Sequence, residues 1–235
     1  MLVLAASTDK LAAQIKSNAT VSIMLYGIVM GNYGLLGKMS MLTLIPNMII
    51  IWIGTSIASK YSSKKAMVTF TWLSIIFSVA MGLLLVLGDP AKISLDNIGF
   101  MTIAFILLYI LTAGASGVST GIATPMIADC ADYELYLSGN YAPALMGTVF
   151  GFFDKVVSSF ASTIVGYSVM AIGFTQIDDP YTPAIFWMVM FLFIGIPIIG
   201  WIASLIAMKF YPLDQEKMIE VQAKIADMKK EALHK

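Results

Sequence analysis

Six long apolar stretches constrain this chain more than any other feature. They run over about 1–31, 38–58, 67–88, 98–127, 144–174 and 183–208. A helix needs roughly 20 mostly apolar residues to cross ~30 Å of hydrocarbon. Inside hydrocarbon every backbone N–H and C=O must be paired within the protein, which leaves helices or a closed barrel. No stretch alternates with period two as a barrel strand does. The expected fold is therefore an all-α membrane protein with six transmembrane helices over 1–208, then a tail over 209–235. The breaks carry turn or charge signals: Gly31-Asn32-Tyr33-Gly34, Lys60 to Lys65, Asp89-Pro90, the stretch after Ala128, and Asp178-Asp179-Pro180. Only 12% of the 235 residues are charged, and mean hydropathy is +0.86. A soluble domain carries about 25% charged residues.

Lysine placement gives the expected orientation. The loop after the second span holds Lys60, Lys64 and Lys65, and the tail holds six more lysines. The opposite side holds only Lys38 and Lys92, beside Asp89, Asp96, Asp178 and Asp179. Nine lysines against two is a positive-inside bias, so both termini are expected in the cytoplasm of a multi-pass plasma (inner) membrane protein. Asp9 and Lys10 interrupt the first apolar run, so it does not read as a signal peptide.

Several function classes are poor fits. Charge balances at 14 basic and 14 acidic residues, and every basic residue is lysine. Without arginine there is no bidentate fork for phosphate or a base edge, so no nucleic-acid partner is expected. One cysteine, Cys130, and one histidine, His234, leave no metal cluster and no histidine-based triad. No nucleotide loop or nucleophile with a positioned base is present, so the chain does not read as an enzyme.

In the tail, Met218, Val221, Ile225 and Met228 share one helical face. The segment reads either as an amphipathic helix against the membrane or the cytoplasmic loops, or as a solvated tail.

The informative residues are those hydrocarbon rejects. A charge near the bilayer centre costs about 2.5–3.5 kcal/mol on insertion scales, so such groups face a cavity or a partner. Span one holds Asp9, Lys10, Gln14, Lys16, Ser17, Asn18 and Thr20, with Asp9 and Lys16 seven apart on one face. That side lines water or protein, unless the true span begins near Val21. In span five, Gly147, Gly151, Lys155, Ser159, Ser162 and Gly166 form a small, polar stripe, with Asp154 beside it. Lys155 there is either a mobile charge that competes with a cation or a lysine statically paired with Asp154 or Asp9. Ala113, Gly117 and Gly121, and again Gly147 and Gly151, are small-residue patterns that let helices approach. Pro46 and Pro197 lie inside spans two and six and predict kinks. After span four, Asp129, Asp132 and Glu134 have Lys60, Lys64 and Lys65 as candidate partners in a charge network, or are solvated loop acids.

From Pro125 to Phe174 the chain resembles the glycoside-pentoside-hexuronide:cation symporter family, the melibiose-permease-like branch of the major facilitator superfamily. The resemblance rests on Ala128-Asp129-Cys130-Ala131-Asp132-Tyr133, then Lys155, then Ile164-Val165-Gly166. Tyr26 to Asn32, Lys60 to Lys65 and Tyr211-Pro212-Leu213 resemble the family's seventh helix, the loop between its helices eight and nine, and its exit from helix twelve. The chain departs from the family at Gly139-Asn140-Tyr141, where basic residues are usual, and at Thr120, where an aromatic residue is expected.

The resemblance implies the C-terminal half, helices seven to twelve, of a major facilitator superfamily sugar symporter. It implies a sugar or glycoside substrate, sodium or proton as coupling ion and no other cofactor. It also implies a partner half of six helices carrying the cation carboxylates. Lys155 and Asp154 would serve cation coupling. Thr120, Gly151, Lys16 and Asp9 would face the substrate cavity. Asp129, Asp132, Lys64 and Lys65 would form the cytoplasmic gate. The competing expectation is a non-transporting membrane scaffold or accessory protein that keeps the fold.

Overall fold

The computed structural model describes residues 1–60, 62–174 and 180–233, without the side chains of residues 59, 60, 229 and 231–233. The Asp178-Asp179 turn, His234, Lys235 and the side chains of Lys60 and Lys229 therefore lie outside the described residues.

The chain is helical from its start. Its first expected span is not one rod. Helix α1 covers Leu2–Lys16 and stops at Ser17, whose hydroxyl donates back to the Ala13 carbonyl at 2.8 Å. Asn18 then caps a new helix, accepting from the Thr20 backbone N–H at 3.0 Å. A short polar side chain that bonds its own backbone competes with helix continuation. Helix α2 covers Ala19–Ile23 and widens into a π turn over Met24–Val29. Of this first span, Ala19–Val29 forms a shorter, mostly apolar helix.

Five further rods are long and apolar enough to cross a membrane. Helix α3 covers Gly34–Lys60 and carries Pro46 without ending. Helix α4 covers Ser63–Leu87. Helix α5 covers Phe100–Ser138 and passes through Pro125. The expected loop after Ala128 is absent, and the helix runs on until Gly139, whose φ of +74° terminates it. No residue from Ala128 to Ser138 breaks a helix, and glycine is the first to accept the left-handed cap. At 39 residues and 1.5 Å each, α5 is about 58 Å long. It therefore projects well beyond ~30 Å of hydrocarbon. Helix α6 covers Pro143–Ala171. Helix α7, Pro183–Met190, a π turn at Phe191–Gly195 and helix α8, Ile196–Lys209, form the last rod. Pro197 has no N–H to return to Phe193, and the widened turn lies on these residues.

The strongest packing is α4 on α5 and α1 on α8, with α3 on α5 and α1 on α6 beside them. Without water to exclude, such helices hold by close contact, which small residues permit. A Cβ on Gly200 of α8 would sit 2.9 Å from the Thr8 carbonyl oxygen of α1. A Cβ on Gly117 of α5 would sit 2.6 Å from Ile51 of α3. Gly147 and Gly151 differ from the sequence expectation, because a Cβ on either would meet no other helix within 4 Å among the described residues. One buried cluster gathers around Met24, Leu25, Phe105 and Phe193. A second forms around Leu2, Met67, Met126 and Met208. Ala12, Ile75 and Trp201 lie in a small cluster of their own.

Beyond α8, helix α9 covers Gln215–Leu233 and packs on the projecting end of α5. Val221 and Ile225 are buried there. The ammonium groups of Lys217 and Lys224 lie 5.0 and 4.6 Å from the Tyr136 ring centre.

Candidate functional site

One face of α5 repeats a hydroxyl-bearing residue every three or four positions: Tyr109, Thr112, Ser116, Thr120 and Thr124. Together with Ala13, Lys16 and Ser17 of the α1 end, these side chains line a cavity of about 560 Å³. Ala113, Gly117 and Gly121 complete the wall. Every lining residue comes from α5 or the end of α1, so the cavity is a two-helix groove. Thr112 and Thr120 donate to the carbonyls of Leu108 and Ser116 at 2.7 and 2.9 Å. Thr112 is buried, while Thr120 is partly exposed, and a hydroxyl whose hydrogen is so committed presents lone pairs, hence acceptors for a ligand's own hydroxyls. Tyr109 stacks on Phe193 with centroids 6.5 Å apart, which fixes one aromatic ring in the wall.

Lys16 also lines the cavity, but its ammonium is turned away from it. Its Nζ is buried without a hydrogen-bond acceptor. It lies 4.9 Å from the Phe193 centroid and 5.9 Å from that of Trp201. Aromatic faces attract an ammonium electrostatically. The same α1 turn ends at Ser17, so the lysine sits where a helix C-terminus favours a cation. Lys16 and Thr120 thus share one cavity. Tyr109, Thr112, Ser116 and Thr124 were not singled out from sequence, although their spacing on α5 was a readable signal.

Asp9 lies elsewhere. It shares the α1 face of Lys16 but is only 1% exposed, among α4, α5 and α8. Ser119 donates to its Oδ2 at 2.5 Å, and Thr71 joins Ser119 at 2.9 Å. Oδ1 has no partner. The cavity is lined without Asp9, because α8 and α5 close over that part of α1.

Gly151 also lies outside the cavity, on α6. Asp154 pairs with Lys10 of α1 at 3.4 Å, not with Lys155. Lys155 is exposed, and among the described residues no carboxylate pairs with it. The stripe of Gly147, Gly151, Lys155, Ser159 and Gly166 is thus left largely uncovered within this chain.

The four gate candidates are near one another but do not form the expected lysine–acid network. Lys64 donates to the Tyr211 carbonyl and, with Asp129, lines a cavity of about 160 Å³ at the lysine-rich end. Asp132 accepts from Gln222 of α9 at 2.7 Å. Lys65 is exposed and forms no ion pair among the described residues. Because α5 stays helical past Asp129, Asp132 meets α9 instead of looping back to α4. On α9 itself, Lys217 and Glu220 pair at 2.7 Å, and Tyr136 donates to Glu220 at 2.5 Å. The Lys217 ammonium and the Tyr136 hydroxyl hold the Glu220 carboxyl below its ordinary range.

Among known protein families, the one described as MFS/sugar transport protein matches residues 2–215. No curated protein and no solved structure matches the chain.

Proposed function

The chain belongs to the MFS/sugar transport protein family, and we propose that it is a six-helix half of a cation-coupled sugar symporter. A multi-pass membrane protein of this family is a transporter and not an enzyme. The observation that carries the reading is the two-helix groove of about 560 Å³, with its aromatic ring and its row of hydroxyls. Sugars present many hydroxyl donors and acceptors, and an apolar ring face that stacks on aromatics.

A groove open on one side needs a second wall. Transporters of related design bind substrate near the bilayer midplane between two repeats that rock against each other. The proposed partner is a complementary six-helix half, seated over the groove and the uncovered α6 stripe. Lys155 then reaches a carboxylate of that half and competes with sodium or a proton for it. Asp129, Asp132, Lys64 and Lys65 lie at the proposed cytoplasmic end, where α9 clamps α5. Both termini face the cytoplasm of the plasma membrane, as the lysine distribution supports.

The test is reconstitution of the purified chain in proteoliposomes under an imposed sodium or proton gradient. A labelled glycoside is expected to bind weakly and not to accumulate. Accumulation by the chain alone overturns the half-site reading. The bare α6 stripe also supports a second reading, a non-transporting scaffold that docks a partner on that face. Absence of glycoside binding, even with a complementary half supplied, favours the scaffold.

A further inference from the structure

The contact of α1 with α8 buries four polar atoms without a hydrogen bond of ordinary geometry among the described residues: Asp9 Oδ1, Ser204 Oγ, Trp201 Nε1 and Lys16 Nζ. Asp9 and Lys16 share a face of α1, and Trp201 and Ser204 are three apart on α8. Lys16 and the Trp201 ring are accounted for by the cavity and by each other. Asp9 is not. A buried carboxylate is retained when a cation or a full set of donors satisfies it.

The groups facing Asp9 are Thr71 from α4, Ser119 from α5, and Ser204 from α8. None carries charge. On its own helix, Lys10 turns away to Asp154 of α6. Lys16 is two turns along, about 10 Å by helix rise. No described lysine forms an ion pair with Asp9.

We propose that Asp9 is a proton-binding site. The Ser204 hydroxyl beside Oδ1 can donate to the carboxylate or accept from the protonated acid, so hydrogen bonding fits both states and the buried charge decides between them. The other oxygen keeps its bond from Ser119. One added proton removes the buried charge that no described cation compensates, and no covalent bond breaks. An alkali cation fits less well, since hard cations take a cage of several oxygens and need volume of their own. None of the cavities described above is lined by Asp9.

Ionised Asp9 is the opposite charge nearest to Lys16 on their shared face. Protonation removes it, and the Lys16 ammonium buried behind the groove wall then loses its one opposite charge on that face. This coupling rests on the symport reading. The proton site does not.

The test is infrared spectroscopy of the full chain in lipid nanodiscs, without sugar, across pH, in sodium and in potassium buffers. A carboxylic acid C=O band is expected at acid pH, lost reversibly at alkaline pH and identical in both salts. Asp9→Asn, nearly isosteric with the protonated acid, removes it, and Asp154→Asn keeps it. Should Asp9→Asn fold poorly, Ser204→Ala serves, because losing the acceptor shifts the band. The proposal is overturned if Asp9→Asn removes no band at any pH, or if Ser204→Ala leaves the band unmoved. It is also overturned if sodium abolishes a band that potassium spares. Failure of glycoside binding leaves the band in place, so the two readings fail separately.

Discussion

Ser119 of α5 donates to Asp9 of α1 at 2.5 Å, and this bond ties the first helix to the longest one. Thr71 of α4 extends the link, so three helices meet at one carboxyl group. An unsatisfied polar group inside a membrane protein is costly, which makes this node a test of packing.

Ser119→Ala removes that donor and is expected to destabilise the bundle by about 1–3 kcal/mol, the usual range for a buried bond to a charged or strongly polar group. Thr71→Ala, one bond further out, is expected to cost less. Thermal unfolding midpoints of the two variants in detergent give the comparison. Equal midpoints for wild type and Ser119→Ala refute the role of the node.

Close approach of α1 to α8 depends on Gly200. Gly200→Val pushes side-chain atoms into the Thr8 carbonyl, and overpacking of this kind costs about 1–3 kcal/mol. Gly151→Ala meets nothing within 4 Å, so the isolated chain is expected to tolerate it within about 0.5 kcal/mol. The same unfolding assay, run on both, separates a packed glycine from an uncovered one.

Lys155→Ala is expected to leave the stability of the isolated chain unchanged, because the side chain is exposed and unpaired among the described residues. In the assembled transporter the same substitution is expected to reduce ion-driven accumulation severalfold at equal protein level. Parallel loss of expression and uptake instead marks a structural role.

Thr120→Val keeps the shape of the groove wall and deletes one hydroxyl. Glycoside affinity in the assembled transporter is expected to fall about fivefold, matching roughly 1 kcal/mol for one hydrogen bond. Equilibrium binding to membranes measures it, and an unchanged affinity removes Thr120 from the site.

The clamp of α9 on α5 is expected to loosen at acid pH. Glu220 has a lowered carboxyl pKa in the folded chain, first through Lys217 and then through Tyr136. A depressed pKa stabilises the docked state above the ordinary glutamate range, and that contribution disappears as pH falls through the lowered value. The groups are fully exposed, so the effect is small and weakened by salt. Spin labels on Ser138→Cys and Ala226→Cys, in a Cys130→Ala background, report the separation. Glu220→Gln is expected to flatten its pH dependence.

Much of the bundle was legible in the chain, since hydrocarbon demands long apolar helices and this demand is local. Spans two, three, five and six come within a few residues of their expected limits for that reason, as does the start of span four. The break at Ser17–Asn18 was harder to read, because it depends on a side chain capping its own backbone. The end of α5 was misplaced for the opposite reason. Acidic residues after Ala128 look like a loop in a hydropathy profile, yet they are compatible with helix, and only Gly139 stops it.

What sequence determined by itself was angular position: Asp9 and Lys16 on one face of α1, the hydroxyls on one face of α5, the apolar face of α9. Periodicity assigns each side chain a direction and says nothing of what stands opposite. Only the tertiary structure decided that α8 and α5 close over Asp9 while the groove stays open at Lys16. It likewise turned Asp154 to Lys10, Asp132 to Gln222, and left Lys155 bare. The physical reason is that partners come from helices distant in sequence. Their approach is set by small residues such as Gly200 and Gly117, and no local pattern encodes that approach.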